Sequence, residues 1–104
     1  MSYLVVFIIV PNQKGAEKIT LALLREKLAA CVTVVPGVKS FYWWQKRIEK
    51  SSEVLLIVKT LKSKLPQLIK NVKKMHSYQV PEIIALPIIN GEQKYLKWLQ
   101  ETVK

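Results

Sequence analysis

Cysteine, glycine and acidic residues are scarce in this 104-residue chain. Its one cysteine, Cys31, excludes a disulfide within the chain, and nothing indicates an oxidising compartment. With three glycines there is no glycine-rich loop of the kind that cradles phosphates. No apolar run reaches the ~20 residues that a membrane helix needs, and the start, Met1 to Tyr3, lacks the basic region of a secretory signal. We therefore predict a cytoplasmic protein with no membrane contact.

The shortage of acids leaves a formal net charge of +10, from 17 basic and 7 acidic residues. Such a balance is compatible with nucleic acid, anionic lipid or an acidic small molecule as partner. Fifteen of the basic residues are lysine, however, and they are scattered along the sequence. Arginine is the side chain favoured for bidentate reading of bases and phosphates. We therefore expect that nucleic acid is not the partner.

The chain alternates β-rich and helix-forming segments in one domain, residues 1–104. The first strand is followed by a helix, two long strands flank a polar spacer at 45–47, and a second helix, a last strand and a terminal helix complete the chain. The predicted strands are 3–10, 31–44, 48–60 and 83–89. The predicted helices are 13–29, 62–75 and 92–103. The order βαββαβ plus a helix predicts an α+β, ferredoxin-like domain with an antiparallel sheet. A doubly wound parallel sheet is disfavoured because the spacer leaves no room for a crossover helix.

The two long strands form a hairpin whose arms, roughly 12 residues each, are about twice the usual strand length. Pro36 and Gly37 predict a bulge or bend in its first arm. Pro87 predicts an edge or irregular position for the last strand. A projecting hairpin with Tyr42, Trp43 and Trp44 near its tip favours a role in assembly first and in ligand binding second.

The first and third strands are apolar without alternation, which predicts burial on both faces. In a ferredoxin-like domain the crossover helices cover one face only. The terminal helix is too short to cover the whole of the other. We therefore expect further copies of the same chain to cover it.

Several short motifs carry a resemblance to one family. In chain order they are Ala30-Cys31-Val32, Pro36-Gly37-Val38, Ser40, Tyr42-Trp43-Trp44, Ile48-Glu49, Glu53, Lys59-Thr60, His76, Tyr78 and Val80-Pro81-Glu82-Ile83. The ordered set closely resembles the CutA divalent-cation tolerance family. The resemblance implies a ferredoxin-like homotrimer similar in form to the PII signalling proteins, and a link to tolerance of copper and other divalent cations. Three positions depart from the family pattern: Lys46 stands in place of a turn glycine, and Ser77 and Gln79 replace a proline and a glutamate.

Cys31, His76 and Glu82 are the candidate metal ligands, for copper or another divalent ion. Each of the first two has a structural alternative. A lone cysteine that opens a strand can act as a small hydrophobe, and a histidine after a helix can bond a carbonyl and interact with the helix dipole. One cysteine and one histidine cannot complete a tetrahedral site, so Glu53, Glu82, Met75 or a second subunit must contribute.

A second candidate site is a cleft with aromatic walls between the hairpin and the loop after His76. Its expected residues are Tyr42, Trp44, Lys59, Tyr78 and Gln79, together with Glu82. We predict that the loop comes from a neighbouring chain, and that Lys59 makes the cleft prefer anions or a metal carrying an anionic ligand.

No serine or cysteine is arranged with a base, and no acids are paired by spacing, so catalysis is not predicted. The leading hypothesis is a trimeric protein that binds divalent metal ions or a small ligand at subunit clefts and acts in the response to metal ions. The alternative is a structural or signalling adaptor trimer whose effect on metal tolerance is indirect. Enzymatic action on an anionic metabolite is a third.

Overall fold

The structure is a computed structural model that describes residues 2–103. Within that range four strands and three α-helices follow one another in the predicted order. Their bounds are β1 Tyr3–Val10, α1 Gln13–Arg25, β2 Cys31–Trp44, β3 Arg47–Leu61, a 3-10 turn Lys62–Lys64, α2 Leu65–Met75, β4 Ile83–Ile88 and α3 Gln93–Val103.

The four strands form one antiparallel sheet in the order β2-β3-β1-β4. This order and the two crossover helices confirm the ferredoxin-like prediction. β4 is an edge strand, as Pro87 predicted, because proline has no backbone N–H to donate and is tolerated where a strand has only one neighbour. None of the helices within residues 2–103 combines the length and apolarity that crossing a bilayer requires.

α1 begins where predicted but ends early. The Asn12 side chain accepts a hydrogen bond from the Gly15 amide at 2.8 Å and caps the helix. The helix stops at Arg25 rather than at Ala29, because Lys27 adopts a left-handed backbone with φ of 57°. Leu28 and Ala29 then enter the core as part of the connection to β2.

The hairpin of β2 and β3 has arms of 14 and 15 residues. A register shift between Val35 and Val38, with Gly37 at φ of 72°, confirms the bulge at Pro36 and Gly37. The turn contains Gln45 and Lys46 alone, both at positive φ of 49° and 65°. The expected three-residue spacer is therefore wrong, because two left-handed residues close the hairpin as in a type I′ turn and Arg47 joins β3.

The two faces of the sheet differ in burial. On the face under α1 and α2, Val6, Ile8, Leu56 and Val58 are fully buried against helix residues such as Leu68. On the opposite face the alternate residues of β1 are half-buried. Within one chain β1 is therefore covered completely on one face only, and the expected cover of its other face by further copies stays a prediction.

α3 covers one end of the second face. Its Leu99 and Val103 pack with Ala30 and Leu61, and Tyr3 donates a 3.0 Å hydrogen bond to Gln100. The rest of this face stays partly open, and Ile84 and Leu86 of β4 are 51% and 45% exposed. The helix is thus too short to cover the face, as the sequence indicated.

Candidate functional site

A cavity of about 610 Å³ lies where the hairpin extends past the end of β1. The hairpin forms one wall, and the loop between α2 and β4 forms the other. Because the second strand alternates, Tyr42 and Trp44 share the side that faces the cavity. The lining residues are Ile9, Ser40, Phe41, Tyr42, Trp44, Glu53, Tyr78, Gln79, Val80 and Glu82.

The charge of this lining is negative although the chain carries +10. Glu53 and Glu82 contribute two carboxylates, and none of the ten lining residues is lysine, arginine or histidine. Glu53 is 5% exposed, so its charge is shielded from solvent. Such a lining attracts cations and repels anions.

Tyr78 connects the loop to the hairpin. Its hydroxyl donates a 2.6 Å hydrogen bond to Oε2 of Glu53. Burial raises the pKa of Tyr78, and the hydrogen bond and the charge of Glu53 raise it further. The hydroxyl therefore keeps its proton at physiological pH and remains a donor to the carboxylate.

His76 connects the same loop to β1. Its Nε2 lies 2.6 Å from the carbonyl oxygen of Ile9, and its Nδ1 accepts a 3.1 Å hydrogen bond from the amide of Tyr78. Because Nδ1 accepts, Nε2 must carry the proton and donate to Ile9, so the ring is neutral. Both nitrogens are engaged, and neither is free to bind a metal in this arrangement. The geometry agrees with the structural interpretation of His76.

The structure brings together most of the residues predicted for the cleft. Tyr42, Trp44, Tyr78, Gln79 and Glu82 all line the cavity. They do so within one chain, whereas the loop was expected from a neighbour. Tyr42 is held in place through a 2.7 Å hydrogen bond with the Ser51 hydroxyl.

Lys59 lies elsewhere. Lys59 pairs with Cys31 on one neighbouring strand and with Val5 on the other. Val5 is four residues along β1 from Ile9, which lines the cavity. At ~3.3 Å per residue the separation is about 13 Å. The Nζ of Lys59 donates to the Thr33 hydroxyl at 3.0 Å. The expectation that Lys59 gives the cleft a preference for anions therefore finds no support within one chain.

Cys31 lies beside Lys59 and far from His76. Its Sγ is 3.9 Å from Lys59 Nζ, while His76 bonds Ile9 at the other end of β1. Burial raises the pKa of Tyr95 on α3, and the neighbouring Cys31 raises it further.

The predicted metal set is not assembled within one chain. Within residues 2–103 no three histidine, cysteine, aspartate or glutamate side chains come together as a metal site. Cys31 and His76 lie at opposite ends of β1, and Glu82 lines the cavity away from Cys31. A site that uses all three would need a second chain.

Glu53 is the cavity residue whose role the sequence reasoning missed. The sequence suggested it only as a supplementary metal ligand, and it suggested Ser40 only as part of the family pattern. The signal was a single carboxylate directly before the apolar run Val54 to Val58. An acid at the start of the buried part of a strand needs a partner, and here the partner is the Tyr78 hydroxyl.

Comparison with known proteins gives matches over nearly the whole chain. The family model of the CutA1 divalent ion tolerance protein matches residues 4–102. The divalent-cation tolerance protein CutA of Thermus thermophilus is 50% identical over 93% of this chain and 94% of its own length. The structure of the periplasmic divalent cation tolerance protein CutA from Archaeoglobus fulgidus superimposes with a TM-score of 0.95 at 43% identity, covering 98% of this chain and 99% of that one.

Plant relatives are longer. The chloroplastic protein CutA 1 of Oryza sativa is 46% identical over 97% of this chain, which spans 57% of that protein's length. The chain spans a similar share, 56%, of the chloroplastic CutA of Arabidopsis thaliana. The names of these relatives refer to more than one compartment, so the cytoplasmic location of this chain stays a prediction.

Proposed function

Because this chain belongs to the CutA1 divalent ion tolerance protein family, we propose that it acts in divalent-cation tolerance by binding a cation in the cavity between the hairpin and the 78–82 loop. The observation that supports this is the charge of the cavity. Two carboxylates and no basic side chain line it, in a chain of net charge +10. A basic protein that keeps its basic residues out of one cavity leaves that cavity attractive to cations.

The donor set fits a divalent cation that prefers oxygen ligands. Glu53 and Glu82 offer carboxylate oxygens, Gln79 an amide oxygen and Ser40 a hydroxyl. Hard cations such as Mn²⁺ take ligands of these kinds and complete their coordination with water. Cys31, the soft ligand expected for copper, lies about 13 Å away along the sheet at ~3.3 Å per residue. Oxygen donors, rather than the thiol, therefore hold the cation in this proposal.

The aromatic walls have a part in the same proposal. Tyr42 and Trp44 form an apolar wall on one side of the cavity, which lowers the local dielectric there relative to open solvent. The attraction between a cation and the carboxylates is stronger there than at an open surface. The electron-rich faces of the rings add a smaller attraction of the same sign.

Assembly of three chains is the second part of the proposal. The half-open sheet face presents Phe7, Ile57, Ile84 and Leu86, and the hairpin exposes Trp43 at 72%. Exposed apolar surface of this extent on one side of a small domain is typical of an interface. Packing of these faces around a threefold axis, which the family resemblance implies, buries them. Sedimentation equilibrium is expected to give the mass of three chains, and a stable monomer at micromolar concentration would contradict it.

Calorimetric titration with Mn²⁺ and with Cu²⁺ tests the binding function. The wild-type chain is expected to bind one cation per cavity. Glu53→Gln should weaken that binding by about tenfold or more, because it removes a buried charge. Glu101→Gln, which removes an exposed charge on α3, is the matched control and should change the affinity little.

An adaptor trimer without cation binding is the alternative, and the same titration separates the two. If neither ion binds the folded wild-type trimer more tightly than millimolar, the cavity does not serve cations. The exposed hairpin aromatics would then be the main functional feature of the surface. Equal weakening by both substitutions would mean that net charge alone attracts the ions.

A further inference from the structure

The two crossover helices and the turns next to them carry most of the net positive charge of the chain. The helix layer, residues 13–27 and 62–75, holds nine of the seventeen basic residues and two of the seven acidic ones. Its net charge is therefore +7 out of +10. Eight of the nine basic side chains are exposed, and Lys64 is half-buried. The nine are Lys14, Lys18, Arg25, Lys27, Lys62, Lys64, Lys70, Lys73 and Lys74.

The charges form stripes on the outer side of the helices. At ~100° per residue, Lys14, Lys18 and Arg25 lie within about 40° of one another around α1. The buried residues of α1, which include Ile19 and Leu23, lie on the opposite side. The stripe extends about 16 Å, from 11 residues at ~1.5 Å each.

α2 repeats the arrangement. Lys70 and Lys74 lie within about 40° of each other, at ~100° per residue, on the side opposite the buried Leu68 and Val72. Both stripes therefore point away from the sheet. Basic residues that are scattered in the sequence thus lie together on one surface. The expectation that nucleic acid is not the partner depended on that scatter, so it loses its main reason.

We propose that the helix layer binds the phosphate backbone of double-stranded nucleic acid without sequence preference. Rows of lysine match a row of phosphates, and neutralising each phosphate releases counterions. Eight of the nine basic residues are lysine, which contacts phosphates as a point charge and does not read bases in the bidentate manner of arginine.

The composition of the layer favours a duplex over other polyanions. Single strands are held by stacking on aromatic rings, and residues 13–27 and 62–75 contain no phenylalanine, tyrosine or tryptophan. Stable attachment to a bilayer uses apolar anchors, and the layer exposes one large aliphatic side chain, Leu21, at 39%. A rigid surface with charge alone suits the backbone of a duplex.

The surface is independent of the cavity and of assembly. The helix layer covers one face of the sheet, the half-open face lies on the other side, and no residue of the helix layer lines the cavity. Self-association through the half-open face leaves all helix layers at the outside of the assembly. Each added copy then brings another +7, which strengthens binding to a long duplex through multivalency.

Fluorescence anisotropy with a labelled duplex of about 20 base pairs and arbitrary sequence tests the proposal, because binding through phosphates falls steeply with salt. The wild-type chain is compared with Lys14→Gln/Lys18→Gln/Lys70→Gln/Lys74→Gln. The matched control, Lys39→Gln/Lys46→Gln/Lys94→Gln/Lys97→Gln, loses the same charge outside the layer from exposed positions. Glutamine is a good helix former, so the helix variants should fold.

The layer variant is expected to bind at least about tenfold more weakly near 50 mM salt. The slope of its plot of log affinity against log salt concentration should be smaller in magnitude by about four, one for each phosphate contact that is lost. The control variant should keep an affinity close to that of the wild type. Equal weakening in both variants would overturn the proposal, since net charge alone would then account for binding. Wild-type binding to phosphatidylserine vesicles but not to the duplex would overturn it also.

Discussion

The hydroxyl of Tyr78 and the buried carboxylate of Glu53 are joined by a 2.6 Å hydrogen bond across the cavity. This contact links the 78–82 loop to the middle of the hairpin. Because Glu53 is 5% exposed, the bond forms where solvent competes little for the carboxylate. The position of the loop, and with it the shape of the cavity, depends on this pair.

Tyr78→Phe is expected to destabilise the fold by about 2 kcal/mol, since it removes a hydrogen bond to a charged group and leaves the carboxylate without that donor. Urea unfolding of both proteins measures the difference. Tyr42→Phe is the matched control, because its hydroxyl bonds Ser51 at an exposed site and should matter less. Equal effects of the two substitutions would show that Tyr78 has no special role.

The contribution of Tyr78 to the free energy of unfolding should fall at high pH. Its pKa is raised in the folded state above the ordinary 10.0, by burial first and by Glu53 second. A raised pKa contributes stability that is complete below the unfolded value and is lost as the pH rises above it, because the unfolded chain then releases the proton more readily. The difference in unfolding free energy between wild type and Tyr78→Phe should thus be constant from neutral pH to about 9 and shrink above 10. A difference that grows above pH 10 would contradict the assignment.

The hairpin turn offers a stabilising substitution. Lys46 has φ of 65°, a conformation that costs roughly 1 kcal/mol for a residue with a Cβ and little for glycine. Lys46→Gly should therefore raise the free energy of unfolding by up to about 1 kcal/mol. Lys39→Gly within β2 serves as control and should lower it, because glycine weakens a strand. A loss of stability in both variants would mean that the turn is not strained.

Gln79 lines the cavity at a position where the family resemblance implies a glutamate. Gln79→Glu adds a third carboxylate to the lining and should strengthen cation binding. The gain should shrink as salt is raised, to the extent that the attraction acts over a distance. Titration with Mn²⁺ at low and high salt measures both effects. An unchanged affinity at low salt would show that position 79 does not face the cation.

The sequence predicted the fold well because local signals agreed with one another. The lengths of the apolar segments, the Pro36-Gly37 bulge and the edge position of β4 each follow from the chemistry of a few residues. Boundaries were less predictable. Lys27 and Lys46 occupy left-handed conformations that lysine rarely adopts, so neither residue type signals the early end of α1 or the two-residue turn. Only the turn glycine that the family resemblance implies at position 46 points to the turn.

The site could be predicted only in part. Tyr42, Trp44 and Tyr78 were expected together because strand alternation and the position of the loop follow from the fold. Lys59 was misplaced because the register of β3, which sets its distance from the cavity, depends on the bulge and on pairing along the full hairpin. The pairing of Glu53 with Tyr78 joins residues 25 positions apart and has no local pattern.

The location of a bound cation tests the account most directly. Mn²⁺ is paramagnetic and broadens the amide NMR signals of nearby residues, so sub-stoichiometric addition to the labelled wild-type protein maps its position. Binding in the cavity predicts that the signals of Tyr42, Glu53 and Gln79 broaden first and most, while those of Cys31 and Lys59, which lie further along the sheet, broaden much less. Broadening centred on Cys31, or spread evenly over exposed carboxylates such as Glu101, would contradict the proposal that the cavity is the cation site.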